Sequence, residues 1–155
     1  MAADAQDALW DWDVELLEAI GRQDMQLVAL VEGSRLHALM LLRYGAESRL
    51  NPGGRLVYVE LLAVAPWNRP PQRELGGCGS VLVEHAVRES IISGWDGRLG
   101  LHSLDSGDTL DFYERTLAMT KMNRDPEVDD LFYFEYDPDA AQHFLDQQTE
   151  RQGRP

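Results

Sequence analysis

The sequence is poor in cysteine and in long apolar runs, and each shortage excludes a class of protein. A single cysteine, Cys78, cannot form an internal disulfide, which favours a reducing compartment, and we predict a cytoplasmic location. The longest nearly uninterrupted apolar stretches, at 36–42 and 56–64, are far shorter than the roughly 20 residues that span a bilayer. The first residues carry acids where a secretory signal carries Lys or Arg. We therefore expect neither a membrane span nor a signal peptide.

Basic residues are also scarce relative to acids. Fourteen Lys and Arg stand against 27 Asp and Glu, which gives a formal net charge of −13. Such a field repels phosphate backbones and anionic lipid headgroups, so we expect no nucleic-acid or membrane partner. No group of His, Cys and acidic residues has metal-ligand spacing, so no metal is expected. The acids gather near both ends of the chain, where they form either solvated faces or a funnel that attracts an amine.

The remaining composition is that of an ordinary globular domain. The chain has 155 residues, of which 44% are hydrophobic and 26% charged. At this length one core can bury roughly two thirds of the surface that the unfolded chain exposes. The sequence therefore predicts a single domain over residues 1–150, followed by a frayed tail at 151–155.

In the first half of the chain, the spacing of apolar and polar residues predicts a helix, a hairpin and a buried strand. Residues 11–21 have the spacing of an amphipathic helix, and two β-prone runs at 25–31 and 36–44 flank a Glu-Gly-Ser turn. Residues 56–64 are apolar on both alternating faces except at Glu60, which is the pattern of a strand covered on both sides. We predict that this run is the central strand.

The second half begins with a glycine-rich turn at 76–79 that leads into a predicted helix of about four turns. Further elements are predicted in the order strand, short helix, strand and helix, at 98–103, 108–115, 131–136 and 139–149. The order indicates a β-α-β crossover that is extended by an antiparallel end.

The glycine turn is a candidate anion site. Glycines let the backbone approach a bulky group, and the free amides at the start of the following helix attract an anion. The same composition also occurs in ordinary loops. The turn is not a Walker loop, because no Gly-Lys-Ser/Thr follows it.

Three segments carry a resemblance to a known family. They read LLAVAPWNR at 61–69, GCGSVL at 77–82 and DFYERTLAM at 111–119. In order and spacing they resemble the GCN5-related N-acetyltransferase (GNAT) superfamily, over roughly residues 25–136. The resemblance implies a three-layer α/β sandwich whose mixed, mostly antiparallel sheet splays at the central strand. It also implies an N-acyltransferase that moves an acyl group, usually acetyl, from acetyl-CoA to an amine.

The same resemblance assigns roles to residues of this chain. The backbone of the central strand would bind the pantetheine arm, and the amides of the glycine turn would bind the diphosphate with help from an arginine. The residues implied to bind acetyl-CoA are Leu62, Ala63, Val64, Arg69, Arg73, Gly77, Cys78, Gly79 and Ser80. Tyr113 would donate a proton to the departing thiolate, or it is simply a core aromatic residue.

The chain departs from the family pattern in the loop before the glycine turn, at Ser106, where the family often has asparagine, and in the region before the hairpin. The loop before the glycine turn is longer, and Glu74 stands where the family has glutamine or arginine. An acid beside a diphosphate is unfavourable, so either Arg69 or Arg73 swings in or Glu74 points away. Only about 24 residues precede the hairpin, so a homodimer, or a partner protein that completes this region, is one arrangement that we consider.

Glu60 is the candidate base because it is the only charged residue in the predicted central strand. A charge is almost never fully buried without a partner, and a carboxylate at a cleft can take the proton of an attacking amine. The alternative is a structural ion pair with an arginine such as Arg43. Tyr58 shares the face of Glu60 and either lines the acceptor site or packs in the core.

Two other residues have alternative roles. His102, at the end of the strand after the crossover helix, is an alternative base. Cys78 is more simply explained as a small side chain between glycines than as a nucleophile. The main rival to an enzyme is a non-catalytic domain of the same fold that binds acyl-CoA or a protein partner. The acceptor, a small molecule or a protein amine, cannot be identified from the sequence.

Overall fold

The computed structural model describes residues 19, 21–69, 71 and 73–154. Within these residues six strands form one sheet in the order β1-β2-β3-β4-β6-β5. The elements are β1 (Met25–Glu32), β2 (Arg35–Glu47), β3 (Arg55–Val64), a 3-10 turn (Pro66–Asn68), α1 (Cys78–Ile92), β4 (Leu99–Ser103), α2 (Gly107–Asp111), a π-helical turn (Phe112–Thr116), β5 (Thr120–Asp125), β6 (Leu131–Tyr136) and α3 (Pro138–Gln152). Neighbouring strands run antiparallel except β3 and β4, which are parallel. The sheet is therefore mixed and mostly antiparallel, as predicted.

The hairpin, the central strand and the crossover helix are confirmed. β1 and β2 pair antiparallel around a turn in which Gly33 has φ +59°, a conformation that favours glycine. β3 is third of the six strands, and α1 connects it to the parallel strand β4. The helix predicted at 11–21 lies outside the described residues except for Ala19, which is helical, and Gly21.

The hydrophobic core lies between the sheet and α1 and α3. The face of α1 that carries Leu82, Val83 and Val87 is buried against the sheet, because these residues recur at helical spacing. α3 adds Phe144 and Leu145 to the same core. This burial fixes one face of β3 and leaves the opposite face of the sheet for other contacts.

A β-bulge at Glu60 changes which residues of β3 face the core. Leu41 of β2 pairs with Leu61, but Leu42 pairs with Val59, so Glu60 is an extra residue in β3. The bulge reverses the alternation of side chains. Residues Val57 and Val59 before it, and Leu62 and Val64 after it, all pack toward the core.

Three details differ from the sequence prediction. Strand β5 was not predicted, because its run TKMNRD is polar and does not alternate. The predicted helix at 108–115 is instead the single turn of α2, which is continued by a π-helical turn. Ser106 is the N-cap of α2, because its hydroxyl accepts a hydrogen bond from the Thr109 amide. Helix α3 runs to Gln152, so the first two residues of the predicted frayed tail are helical. None of the helices in the described ranges is long and apolar enough to cross a membrane.

Candidate active site

The sheet divides at a fork between β3 and β4. The two strands pair only where Val57, Tyr58 and Val59 lie beside Leu99, Gly100 and Leu101. Beyond this point they separate, so Glu60 and His102 are the first neighbours without a pairing. On the side of β4, the backbone of β3 from Glu60 to Val64 has no strand partner among the described residues. The splayed central strand that the sequence predicted is present.

The glycine turn lies directly before α1. Gly77 has φ +76° and begins the helix, so the amides of the next three residues have no partner within the helix. The first turn of α1 carries no acidic residue that would repel an anion. A Cβ on Gly79 would lie 2.9 Å from Cζ of Phe112, so the turn packs against the residue beside Tyr113. Two of the three predicted motifs therefore meet at this point.

The buried Asn68 positions the loop that leads to the glycine turn. Its Nδ2 lies 2.8 Å from His37 Nδ1, and its Oδ1 accepts a hydrogen bond of 2.9 Å from the Leu75 amide. Asn68 thus connects β2 to the residue that precedes the first glycine of the turn. The sequence segment contained Asn68, but its role as a tie between two loops requires the fold.

Glu74 and the two arginines take defined places in this loop. Arg35 at the start of β2 lies 2.7 Å from Glu74, and its guanidinium stacks over Trp67. Arg69 donates from Nε to the Val64 carbonyl at 2.7 Å, at the end of the open edge of β3. Arg73 is exposed, with φ +27°. Because an arginine engages Glu74, the acid that departs from the family pattern has a local counter-charge.

Tyr113 is buried in the core at the other side of the turn, with 7% of the residue exposed. Its ring centre lies 5.1 Å from that of Phe112 and 5.7 Å from that of Phe134 on β6. Burial raises the pKa of the Tyr113 hydroxyl, so this group carries its proton at neutral pH. It can donate a hydrogen bond, but full loss of its proton is costly.

Glu60 lies at the fork, half-buried, and is paired. Arg43 of β2 donates from Nε to Glu60 Oε1 at 2.5 Å, and its guanidinium lies 4.9 Å over the Tyr58 ring. The ion pair that the sequence left as an alternative is therefore present. It fixes the position of the carboxylate at the mouth of the fork.

A cleft of about 650 Å³ opens on the sheet face opposite α1. It contains the fork residues and a loop between β2 and β3. Its lining residues are Arg43, Ala46, Glu47, Ser48, Arg49, Pro52, Tyr58, Glu60, His102, Val128 and Tyr133. The cleft therefore opens at the fork on the side away from α1.

A line of polar side chains crosses the floor of the cleft. The Tyr58 hydroxyl lies 2.6 Å from His102 Nδ1, His102 Nε2 lies 2.9 Å from Asp125 Oδ2, and Arg49 Nη2 lies 2.6 Å from the same oxygen.

Hydrogen bonds from Arg49 and His102 lower the pKa of Asp125 to about 2. Burial lowers the pKa of His102, although Asp125 opposes this effect. Burial and the nearby Glu60 raise the pKa of Tyr58 to about 12. At neutral pH the line is a neutral tyrosine, a neutral histidine and a carboxylate.

The cleft floor is supported by Glu135, which is fully buried. Its carboxylate accepts 2.8 Å bonds from the Tyr133 hydroxyl and the Arg49 amide, and a bond from the Ser48 hydroxyl. Gly100 lies beneath the Tyr133 hydroxyl, where a Cβ has no room. Sequence reasoning missed Glu135, Asp125 and Arg49, because nothing in their local pattern separates them from surface charges.

Cys78 is not arranged as a nucleophile. Its Sγ lies 3.3 Å from the Leu75 carbonyl oxygen, and the residue is buried. Burial raises the pKa of the thiol, which keeps it protonated. The structure supports the simpler interpretation of a small side chain at the start of α1.

Similar solved structures decide which fold this is. An acetyltransferase from Bacillus subtilis in complex with CoA is 16% identical, with a TM-score of 0.56 over 82% of this chain and 84% of that chain. The ribosomal-protein-S18-alanine N-acetyltransferase from Escherichia coli is 16% identical, with a TM-score of 0.56 over 83% and 77%. A histone acetyltransferase HPA2 and related acetyltransferase from Corynebacterium glutamicum is 16% identical, with a TM-score of 0.54 over 77% and 67%. The chain has the GNAT fold.

No protein-family model and no curated protein matches the chain. Within the described residues no cluster of His, Cys, Asp and Glu is arranged to hold a metal ion. At this level of identity the likeness concerns the fold, so the reaction has to be argued from the site.

Proposed function

We propose that the protein is an acyl-CoA-dependent N-acyltransferase that transfers an acetyl group from acetyl-CoA to an amine by direct attack. The observation that carries this proposal is the fork. It combines unpaired strand backbone, a helix start without acids, and a cleft on the opposite face, all at one point of the sheet. Two of the similar structures are an acetyltransferase bound to CoA and an N-acetyltransferase, which supports this class of reaction without indicating the acceptor.

The residues present fit an extended CoA molecule. The open backbone edge at Leu62, Ala63 and Val64 would pair with the amide groups of the pantetheine arm. The amides of Gly77, Cys78, Gly79 and Ser80 would bind the diphosphate, because the start of α1 offers free N–H groups and a positive dipole end. Arg69 and Arg73 lie on the loop between these two parts and would add positive charge. Acetyl-CoA supplies the activated thioester.

The acceptor would enter from the cleft as an ammonium ion. Because attack requires a neutral nitrogen, one proton must leave before the new bond forms. We propose that Glu60 accepts this first proton through Oε2, since Arg43 bonds to Oε1 and no other described residue donates to this carboxylate. Tyr113, which burial keeps protonated, would donate to the thiolate as it leaves. The strong negative charge of the chain favours a cationic acceptor, whether a small molecule or a protein amine.

One observation favours the non-catalytic alternative. Glu60 is paired with Arg43, so its carboxylate is already engaged within the protein. A domain that binds acyl-CoA without turnover, or that binds a protein partner, would retain such a pair.

Two measurements on the full chain test the proposal. We expect isothermal titration to detect acetyl-CoA binding at a ratio of one to one. We also expect thiol release from acetyl-CoA in the presence of at least one amine of a panel containing spermidine, kanamycin, lysine, tryptamine and a peptide with a free amino terminus. Binding without thiol release would favour the non-catalytic alternative. The absence of binding would contradict the proposal.

A further inference from the structure

The polar line on the cleft floor connects a hydroxyl in the cleft to a carboxylate through one histidine. It begins at Tyr58, which lines the cleft at the middle one of the three paired positions before the fork, and ends at the Asp125 carboxylate. Its central member, His102, is the β4 residue beside Glu60 at the fork, and its side chain is 5% exposed. A histidine between a hydroxyl that opens to the cleft and an ionised carboxylate has the arrangement of a proton acceptor.

The hydrogen bonds define the protonation state that this role requires. Since Asp125 is ionised, His102 donates Nε2–H to it, and the other ring nitrogen, Nδ1, is left to accept the Tyr58 hydroxyl. Tyr58 itself is a poor base, because its raised pKa keeps the hydroxyl protonated. It can still pass a proton on, by accepting one on its oxygen while it donates its own to His102.

We propose that Tyr58, His102 and Asp125 form a relay that accepts the second proton of the acceptor amine. This inference rests on the proposed acyl transfer. In this proposal Tyr58 is the catalytic residue, because it lines the cleft and its hydroxyl would contact the reacting nitrogen. His102 and Asp125 act through it as positioning residues.

The relay balances the protons of the reaction. An ammonium acceptor loses its first proton to Glu60. It loses its second proton as the C–N bond forms: this proton passes to the Tyr58 oxygen while the Tyr58 hydroxyl proton passes to His102 Nδ1. The C–S bond then breaks, and the thiolate leaves with the electron pair, is stabilised by a hydrogen bond that Tyr113 donates, and takes its proton from solvent. Glu60 and His102 return their protons to solvent. The products are the amide, the free thiol and one net proton.

The charges around His102 are consistent with a neutral resting state and a stabilised imidazolium. The groups that face it are Tyr58 and Glu60 from β3, Arg49 from the loop after β2, Asp125 from β5 and Tyr133 from β6. Burial and Arg49 disfavour the imidazolium, whereas Asp125 and Glu60 favour it. The carboxylates therefore lower the cost of charging the ring during the reaction.

A pH series separates the relay from Glu60. In Tyr58→Phe we expect kcat to fall roughly 100-fold, the usual scale of general acid–base catalysis, with unchanged binding of acetyl-CoA. The loss should be the same at pH 7 and pH 10, because even a neutral amine must lose a proton on attack. In Glu60→Gln the loss should shrink toward pH 10, where the amine arrives neutral. The assay uses the panel amine with the highest turnover.

The matched control is Tyr44→Phe on β2. It removes a hydroxyl that bonds to Gln26 and Glu89, outside the cleft. We expect its kcat to equal that of the wild type. If Tyr58→Phe retains kcat within twofold of the wild type, or recovers at high pH, the relay is refuted although acyl transfer stands. An inactive wild type refutes the proposed function itself.

Asp125→Asn provides a second variant with a readout that a structural role would not change. Removal of the carboxylate should lower kcat and move the acidic limb of the pH profile to lower pH, because Asp125 opposes the lowering of the His102 pKa. NMR of ¹⁵N-labelled histidine checks the same point without an acceptor. We expect the neutral Nε2–H tautomer of His102 at pH 7. An imidazolium or an Nδ1–H tautomer there would overturn the relay.

Discussion

Single residues at the fork differ mainly in how each is paired. Glu60 has an arginine partner, His102 has a hydroxyl on one side and a carboxylate on the other, and Tyr113 is surrounded by aromatic rings. Burial lowers the pKa of His102 and raises the pKa of Tyr113, so at neutral pH the histidine is neutral and the tyrosine keeps its proton.

Replacement of Tyr113 by Phe tests the hydrogen-bond donor. The substitution keeps the ring that packs on Phe112 and Phe134 and removes only the hydroxyl. We expect kcat to fall about tenfold or more while the Kd for acetyl-CoA stays within twofold, because the hydroxyl acts on the thiolate that forms during the reaction. Steady-state kinetics and calorimetry measure the two quantities. An unchanged kcat would remove Tyr113 from the mechanism.

At the scale of elements, the site depends on the contact between the start of α1 and the Phe-Tyr segment. Gly79 lies at this contact, where a Cβ would come within 2.9 Å of the Phe112 ring. Gly76, three residues earlier, has nothing within 4 Å of an added Cβ and lacks a positive φ. The two glycines offer a matched pair of substitutions.

We predict that Gly79→Ala lowers the free energy of unfolding by about 1–3 kcal/mol, since the ring must move to admit the methyl group. It should also weaken acetyl-CoA binding, because the shift disturbs the amides beside it. Gly76→Ala should change stability by less than about 0.5 kcal/mol. Urea denaturation and calorimetry check both variants. Equal stability of the two would show that the contact does not constrain the turn.

The elements also show which parts of the fold the sequence could predict. The hairpin, β3 and α1 were predictable because each combines a clear apolar period with glycine or proline at its ends. Strand β5 was not, since its polar run pairs at the sheet edge and buries little. The bulge at Glu60 was also not predictable, because it is visible only in the register against β2.

The candidate site was predictable only where one segment carries the signal. Glu60 and the glycine turn each stand out within their own segment. Asp125 and Glu135 contact the residues that line the cleft only because β6 pairs with β4 and β5, so their roles depend on contacts distant in sequence. His102 was found as a candidate, but its two partners lie 44 and 23 residues away.

At the scale of the whole molecule, the buried histidine makes stability depend on pH. The pKa of His102 is lower in the folded protein than the roughly 6.5 of an unfolded chain. As the pH falls below about 6.5, the histidine of the unfolded chain binds a proton before His102 of the folded protein does. The free energy of unfolding therefore falls. Asp125, whose pKa is lowered to about 2, also contributes to the free energy of unfolding. This contribution is present above about pH 3.8 and is lost only below that pH.

We therefore predict that the urea midpoint falls between pH 7.5 and pH 5 and that the fall is smaller in His102→Gln. The Asp125 pair does not contribute in this window, because its carboxylate stays ionised. Comparison of the two proteins at each pH isolates the histidine from other titrating groups. Parallel pH profiles for the two proteins would mean that His102 titrates as it does in the unfolded chain.

The most direct measurement is a titration of ¹⁵N-labelled protein with acetyl-CoA, followed by the backbone amide signals. If the fork and the glycine turn hold the molecule, the amides of Leu62, Ala63, Val64 and of Gly77, Cys78, Gly79 and Ser80 will shift most, and saturate together. Saturation with these signals unmoved, or no shifts at millimolar acetyl-CoA, would contradict the account.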